Sequence, residues 1–297
     1  MILYWLVRAC SFLLASLPLS AAYALANRAA DLTFLFWREG RANMIDNMAH
    51  VLGTEASAQT VRATALKALR NYGKYLVEFL RVPKLTPQEL LDRVSFTDFR
   101  PFDEALAGGK GAIVVGLHMG NWDLAGGLLT RKGYHLDGIA DSFSNRRLNG
   151  YVQGLRNRLG MQVIPRESAA RRVLQALRRN EILAIAMDRP MPREEGVRVT
   201  IFGSPAYVPA GAATLSLRTG APIIPAGVVR LPDNRFLCMV DRCICYEPTD
   251  NDEEDIRALT QRIMDALSRW VKQNPDQWFM FRRMWPAPEP DPVLSST

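Results

Sequence analysis

Histidine and cysteine are both scarce in this chain, with three of the first and four of the second among 297 residues. His50 and His135 lack any metal-type neighbour in sequence, so no zinc-ligand spacing can be assembled and no metal or other cofactor is expected. Cys238, Cys243 and Cys245 fall in RFLCMVDRCICYE, where alternation predicts a strand with Cys243 and Cys245 on one face. Together with Cys10 they read as buried reduced thiols in a cytoplasmic environment. A Gly-x-Ser-x-Gly elbow is missing, and the cysteines are poorly placed for attack, which argues against covalent nucleophilic catalysis. Repeats and low-complexity tracts are missing as well, which excludes solenoids and disordered linkers. Neither zinc-finger spacing nor a basic strand pair interleaved with aromatics occurs, so nucleic acid is not an expected partner.

Positive charge and apolar surface are abundant. The net charge is +7 with arginine far outnumbering lysine, and 48% of residues are hydrophobic, enough for one large domain or two small ones. Such a balance suits an anionic membrane surface, an acidic protein partner or a phosphate-bearing substrate. From Ala9 to Asn27 the chain runs nineteen residues without a charge, about the length of a membrane span, flanked by Arg8 and Arg28. Pro18 interrupts it, and arginines on both sides set no orientation. ALA before Asn27 also resembles a signal-peptidase site. Apolar character resumes as AADLTFLFW up to Trp37, which favours a retained anchor: a bent helical pair in or against a bilayer.

Beyond the anchor, residues 38–80 carry helical periodicity, and TPQEL reads as a cap with Thr86 at the N-cap and Glu89 at the third helical position. Strands and helices then alternate. FDEALAGG, WDLAGGLLTRKG, LNGYVQGLRNRLG, ESAARRVLQALRRN and the closing DEEDIRALTQRIMDALSRWVKQNP read as helices; GAIVVGLH, YHLDGIA, MQVIP, EILAIAMD, APIIPAGVVR and FLCMVDRCICY read as strands. That pattern is α/β, and the economical division is a membrane-contacting region over 1–37 and a single catalytic domain over 38–297.

Within GLHMGNWDLAGG, His118 precedes Asp123 by five positions. On one continuous helix the two side chains would lie roughly 140° apart, but the segment reads as a strand ending near His118 and a helix capped by Asn121. Across such a turn Asp123 can hold one imidazole nitrogen and leave the other to take a proton, while amides at the helix start face an oxyanion. The plain alternative is a satisfied polar histidine at a strand end. Asp188, in AIAMDRP, also follows a strand and reads equally well as a turn residue before proline. SNRRLN, around Arg146 and Arg147, follows a strand too and could rim the same crevice or be an ordinary solvated loop; Arg146, Arg156, Arg158, Arg189 and Arg282 are candidates for phosphate or carrier contacts, against the alternative of solvated surface. PAYVPAGAATLSL either lines an acyl channel or fills an ordinary core.

HMGNWD resembles the His-x4-Asp/Glu motif of glycerolipid acyltransferases. The flanking residues are similar to the bacterial lipid A late-acyltransferase family, which includes phosphatidylinositol mannoside acyltransferases. The likeness extends through NRRLNGYVQGLRNRLGMQVIP, the MDRP turn, GVRVTIFGSPAYVPAGAATLSLRTGAPIIP and NPDQWFMFRRMW, with Gly196, Val197, Phe202, Gly203, Gly211, Thr219, Gly220 and Pro225 in the family order. The resemblance implies a glycerolipid-acyltransferase-like mixed sheet flanked by helices. It further implies transfer of a fatty acyl chain from an acyl carrier protein or coenzyme A thioester to a hydroxyl of a membrane glycolipid, on the cytoplasmic face of the cytoplasmic membrane. His118 would be the general base and Asp123 its orienter, with Asn121, Arg146, Arg156, Arg158, Asp188, Arg189 and Gly203 as substrate contacts. Two positions depart from the pattern: Asp141-Ser142-Phe143 stands where relatives carry a Tyr-Arg-Pro-like sequence, and Arg189 follows Asp188 where Asp-Gln is common. These departures leave open lipid A, a mannosylated phosphoinositide, another glycolipid or a lysophospholipid as acceptor. A hydrolase of acyl thioesters or lipids and a non-catalytic lipid-binding scaffold are the competing readings.

Overall fold

The protein is described here by a computed structural model covering residues 2–285. Helix α1 (Ile2–Ser16) breaks at Leu17 and Pro18 before α2 (Leu19–Phe36), because proline lacks the amide that would continue the ladder. The nineteen-residue uncharged stretch is therefore split between two helices. Among the described residues no helix is long and apolar enough to cross a membrane. Much of α1 is open apolar surface, with only Ser11 buried, whereas α2 buries Ala22, Tyr23, Ala30 and Phe34. Helices α3 (Arg38–Leu52) and α4 (Ala58–Leu80) follow, and α4 starts on a Ser57 cap that accepts the Thr60 amide. Thr86 and Glu89 form a reciprocal capping box on α5 (Pro87–Arg93), as TPQEL predicts.

The α/β region runs β1 (Val94–Phe96), α6 (Arg100–Ala107), β2 (Ala112–Gly116), α7 (Trp122–Arg131), β3 (Leu136–Ala140), α8 (Arg146–Arg158), β4 (Gln162–Pro165), α9 (Ala169–Arg178) and β5 (Ile182–Ala186). It continues through β6 (Val197–Ile201), β7 (Ser204–Val208), α10 (Gly211–Thr219), β8 (Ile223–Arg230), β9 (Phe236–Val240) and α11 (Asp252–Gln273). Seven strands pair in the order β1-β9-β8-β2-β5-β3-β4, all parallel except β8 against β9. The sheet is thus mixed and flanked by helices. Central β2 and β5 are near-continuous apolar runs because helices cover both their faces. On one face Leu259, Ile263, Leu267 and Trp270 of α11 join Met44, Met48, Ala65 and Leu69 of α3 and α4; on the other, Leu124, Leu128 and Leu129 of α7 pack with Phe102 and Leu155. Phe34 of α2 enters the first of these clusters, so the N-terminal helices share the core of the sheet.

Three expectations need correction. The hairpin β6–β7 and helix α10 occupy a stretch read only as family motif; Phe202 (φ 51°) and Gly203 (φ 79°) make its two-residue turn, both in the left-handed region that such turns require. Strand β9 stops at Val240, so Cys243 and Cys245 lie beyond it and share no strand face. Of the cysteines only Cys238 is buried; Cys10 and Cys243 are half-buried and Cys245 is exposed. Ala206, Val208, Ala212 and Ala213 sit fully in the core, the second of the two readings offered for PAYVPAGAATLSL.

Candidate active site

Strands β2 and β5 are parallel neighbours, with Gly116 opposite Ala186. His118 and Asp188 each lie two residues past those partners, so the register alone sets them face to face at the carboxyl edge of the sheet. Asp188 Oδ1 meets His118 Nδ1 at 2.7 Å, and its Oδ2 accepts the His118 backbone amide at 2.8 Å and Trp278 Nε1 at 2.9 Å. A fully buried carboxylate receiving these three donors stays ionised; its pKa is lowered, since the His118 and Trp278 contacts outweigh the burial that would raise it. Facing such a carboxylate, Nδ1 carries a proton, which leaves Nε2 as the basic nitrogen. The His118 side chain keeps 44% of its surface exposed against 1% for Asp188. Desolvation opposes the imidazolium, but the Asp188 charge and hydrogen bond win, and the His118 pKa is raised from its ordinary value of 6.5.

The strand-to-helix turn is held from several sides. The Met119 and Trp278 backbones pair in an isolated bridge, the Phe279 amide donates to the His118 carbonyl at 2.8 Å, and the Gly120 amide donates to the Gln277 carbonyl at 3.2 Å. Gly120 has φ 63°, and a Cβ there would meet the Val228 carbonyl oxygen at 2.2 Å, so only glycine fits. The Trp122 ring stands edge-on to the imidazole, 5.2 Å between centroids.

Asp123, expected to hold the imidazole, does something else. It is 2% exposed and accepts from Tyr75 Oη at 2.7 Å and Arg156 Nε at 2.8 Å. Its charge still acts on His118 through space, in the direction that favours the imidazolium, and Arg156 acts the other way. The orienting bond to the imidazole belongs to Asp188, seventy residues along the chain.

The remaining candidates divide. Asn121 is fully buried and both ends of its amide are engaged: Oδ1 caps α7 through the Leu124 amide at 3.0 Å, and Nδ2 donates to Glu78 at 2.8 Å. Its side chain serves as a cap and a tether. Gly203 likewise serves the hairpin turn. Arg156 lies inside the site against Asp123, while Arg146, Arg158 and Arg282 are exposed. Arg189 is bound to Asp141 at 2.8 Å, and Asp141 also takes Arg166 at 2.7 Å. The two departures from the family pattern are therefore partners in one ion pair beside Asp188.

Residue spacing alone missed Tyr75, Glu78, Arg230 and Trp278. Glu78, with no exposed side-chain surface, accepts from Arg230 at 2.6 and 2.9 Å, from Arg93 at 3.0 Å, from Asn121 and from Tyr23. Burial first, and then Glu78, pushes the Tyr23 hydroxyl up to about 12. The network joins α2, α4, α5 and β8 to the cap of α7. Tyr75 and Glu78 lie on one helix face three residues apart, but a lone i, i+3 pair of this kind signals nothing in sequence. Among the described residues no cluster of histidine, cysteine or carboxylate groups could hold a metal ion.

A largely parallel α/β sheet with a buried carboxylate on a half-exposed histidine at its carboxyl edge defines the class: an α/β scaffold carrying a histidine–carboxylate pair. Residues 1–286 match the family described as bacterial lipid A biosynthesis acyltransferase, and the chain belongs to that family and is an acyltransferase. Similar relatives include the phosphatidylinositol mannoside acyltransferase of Mycobacterium tuberculosis, 29% identical over 259 residues that span 84% of this chain and 78% of the relative. The phosphatidylinositol mannoside acyltransferase of Mycolicibacterium smegmatis is 27% identical over 248 residues, 81% of this chain and 78% of its own.

Proposed function

We propose that the protein moves a fatty acyl chain from a thioester donor, acyl carrier protein or coenzyme A, to a hydroxyl of a membrane glycolipid, with His118 as general base and Asp188 as its orienter. The observation that carries this reading is the His118 Nδ1 to Asp188 hydrogen bond, with Nε2 free of any protein partner among the described residues. Nε2 takes the proton of the acceptor hydroxyl, and the oxygen adds to the thioester carbonyl. Collapse of the tetrahedral adduct breaks the carbon–sulfur bond, and the imidazolium returns its proton to the leaving thiolate, so no covalent acyl-enzyme forms. Asp123 and Arg156 act from behind the turn by fixing the first turn of α7. The relatives' names point to a mannosylated phosphoinositide as the acceptor class. The chain would work on the cytoplasmic face of the membrane; membrane contact itself is supported by the exposed Ile2, Trp5, Leu6 and Phe12 of α1 and Leu32, Leu35 and Phe36 of α2.

The test is transfer from labelled acyl donors into a total lipid extract by the detergent-solubilised full chain. The expected result is a new labelled lipid that disappears with His118→Ala. Release of free fatty acid alone would assign a hydrolase instead, and a product independent of His118 would overturn the mechanism.

A further inference from the structure

Between α1 and the first turns of α8 lies a cleft of about 480 Å³ lined by Tyr4, Trp5, Arg8, Arg147, Gly150 and Tyr151. Its walls are fixed. Tyr151 Oη donates to Ser11 Oγ at 2.7 Å, and Ser11 Oγ donates to the Leu80 carbonyl at 2.6 Å, which ties both helices to the end of α4. The Tyr4 ring stands edge-on to Tyr151 at 6.4 Å, and the Arg8 guanidinium lies over the same ring at 5.3 Å. Gly150 leaves the floor open, since a Cβ there would meet nothing within 4 Å. The first turn of α8 carries no acidic residue, so its positive helix end adds to the two arginines.

The surroundings say where a ligand would come from. The same helix exposes Ile2, Leu3, Trp5, Leu6, Phe12 and Leu13, each by more than half. A helix lying on a bilayer through such side chains brings Arg8 to headgroup depth, where tyrosine and tryptophan also settle. A phosphodiester reaching this cleft from the bilayer would place its charge between Arg8 and Arg147 and its glycerol carbons against the Tyr4 and Tyr151 rings.

We propose that the cleft is a binding site for the headgroup of an anionic phospholipid. This rests on the membrane docking put forward above, and is separate from the His118 site, Arg147 preceding Arg156 by nine residues along α8, roughly 13 Å at 1.5 Å per residue.

Co-sedimentation of the full chain with vesicles of phosphatidylcholine, and of phosphatidylcholine with phosphatidylglycerol, tests it. The expected result is binding to both with a preference for the anionic vesicles. Arg8→Gln and Arg147→Gln should each reduce that preference about fivefold, the usual effect of one basic residue at an anionic surface. Gly150→Leu fills the floor, leaves the charge unchanged and favours the helix; it should reduce the preference to a similar degree while binding to neutral vesicles persists. Arg218→Gln on α10, an exposed arginine outside the cleft, should leave it unchanged. Full preference in Gly150→Leu would reduce the effect to general surface charge and overturn the site. Loss of the preference on adding glycerol phosphate at constant ionic strength would assign the cleft to a free phosphoester, also overturning the lipid assignment. Equal binding to both vesicles sinks the headgroup site alone, whereas binding to neither sinks the docking reading beneath it.

Discussion

Two buried carboxylates flank His118, and they are wired differently. Asp188 spends both oxygens on His118 and Trp278, so its charge bears directly on the imidazole. Asp123 spends both of its oxygens on Tyr75 and Arg156 and touches His118 only through the field. One carboxylate is bonded to the imidazole proposed as the base; the other holds the helix that follows it. The difference shows that adjacency in a short motif identifies a site without assigning roles inside it, because strand register, not chain distance, decides which side chains meet.

Removing the base should have the largest effect. His118→Ala is expected to lower kcat by about 10⁴-fold, the upper end for general-base catalysis, with an unchanged circular dichroism spectrum. A loss below about tenfold would mean that His118 is a structural residue. Asp188→Asn should follow at roughly 10³-fold: the amide oxygen stays with the His118 backbone and Trp278 N–H donors, which turns the NH2 toward Nδ1 as a donor, and the ring settles in the wrong tautomer, as in other triads where the buried aspartate is amidated. Steady-state kinetics on both variants would measure the gap.

Asp123→Asn sharpens the contrast by acting first on stability. Breaking an ion pair at a nearly buried carboxylate costs about 3–5 kcal/mol, and the lower end applies here because Arg156 keeps 19% of its side chain exposed. Activity should fall by no more than about 10²-fold, the scale of a misplaced catalytic group. Urea denaturation together with kinetics would show it. If Asp123→Asn retained full stability and lost as much activity as Asp188→Asn, the roles assigned to the two carboxylates would have to be exchanged.

The two carboxylates should also separate in the pH profile. In the proposed mechanism His118 acts as neutral imidazole, so kcat/KM should rise with pH and reach its half-value above 6.5, because Asp188 raises the His118 pKa. In Asp188→Asn the residual activity should rise at lower pH, since the charge that favours the imidazolium is gone. A rising limb at the same pH in both proteins would show that another group titrates.

What could be read from the sequence follows the same division. The β2 strand, the Asn121 cap, the capping box at Thr86 and the helix of α11 all depend on residues within a few positions of one another, and all are present as expected. Pairings across long chain distances left no local signal: Asp188 with His118, Glu78 with Arg230, Asn47 with the Met280 and Arg282 carbonyls. The β6–β7 hairpin escaped for another reason. Its turn is Phe-Gly rather than the Asn-Gly or Asp-Gly that announces two left-handed residues, and Phe202 is kept there by packing against Trp278 and Trp285.

The smallest expected effect tests the Asp123 side alone. Tyr75→Phe deletes one hydroxyl from a ring packed 4.3 Å from Trp122 and leaves Asp123 with Arg156 as its remaining hydrogen-bond partner. Loss of a hydrogen bond to a charged acceptor costs about 1.5–3 kcal/mol, so the urea midpoint should fall by less than in Asp123→Asn. Because the ring stays, Trp122 should keep its place beside the imidazole, and kcat should change by less than about tenfold, equivalent to 1.4 kcal/mol at the transition state. A larger kinetic loss at unchanged stability would place the Tyr75 hydroxyl in the proton path rather than behind it, and Asp123 would then act on the reaction through Tyr75 instead of through the helix it anchors.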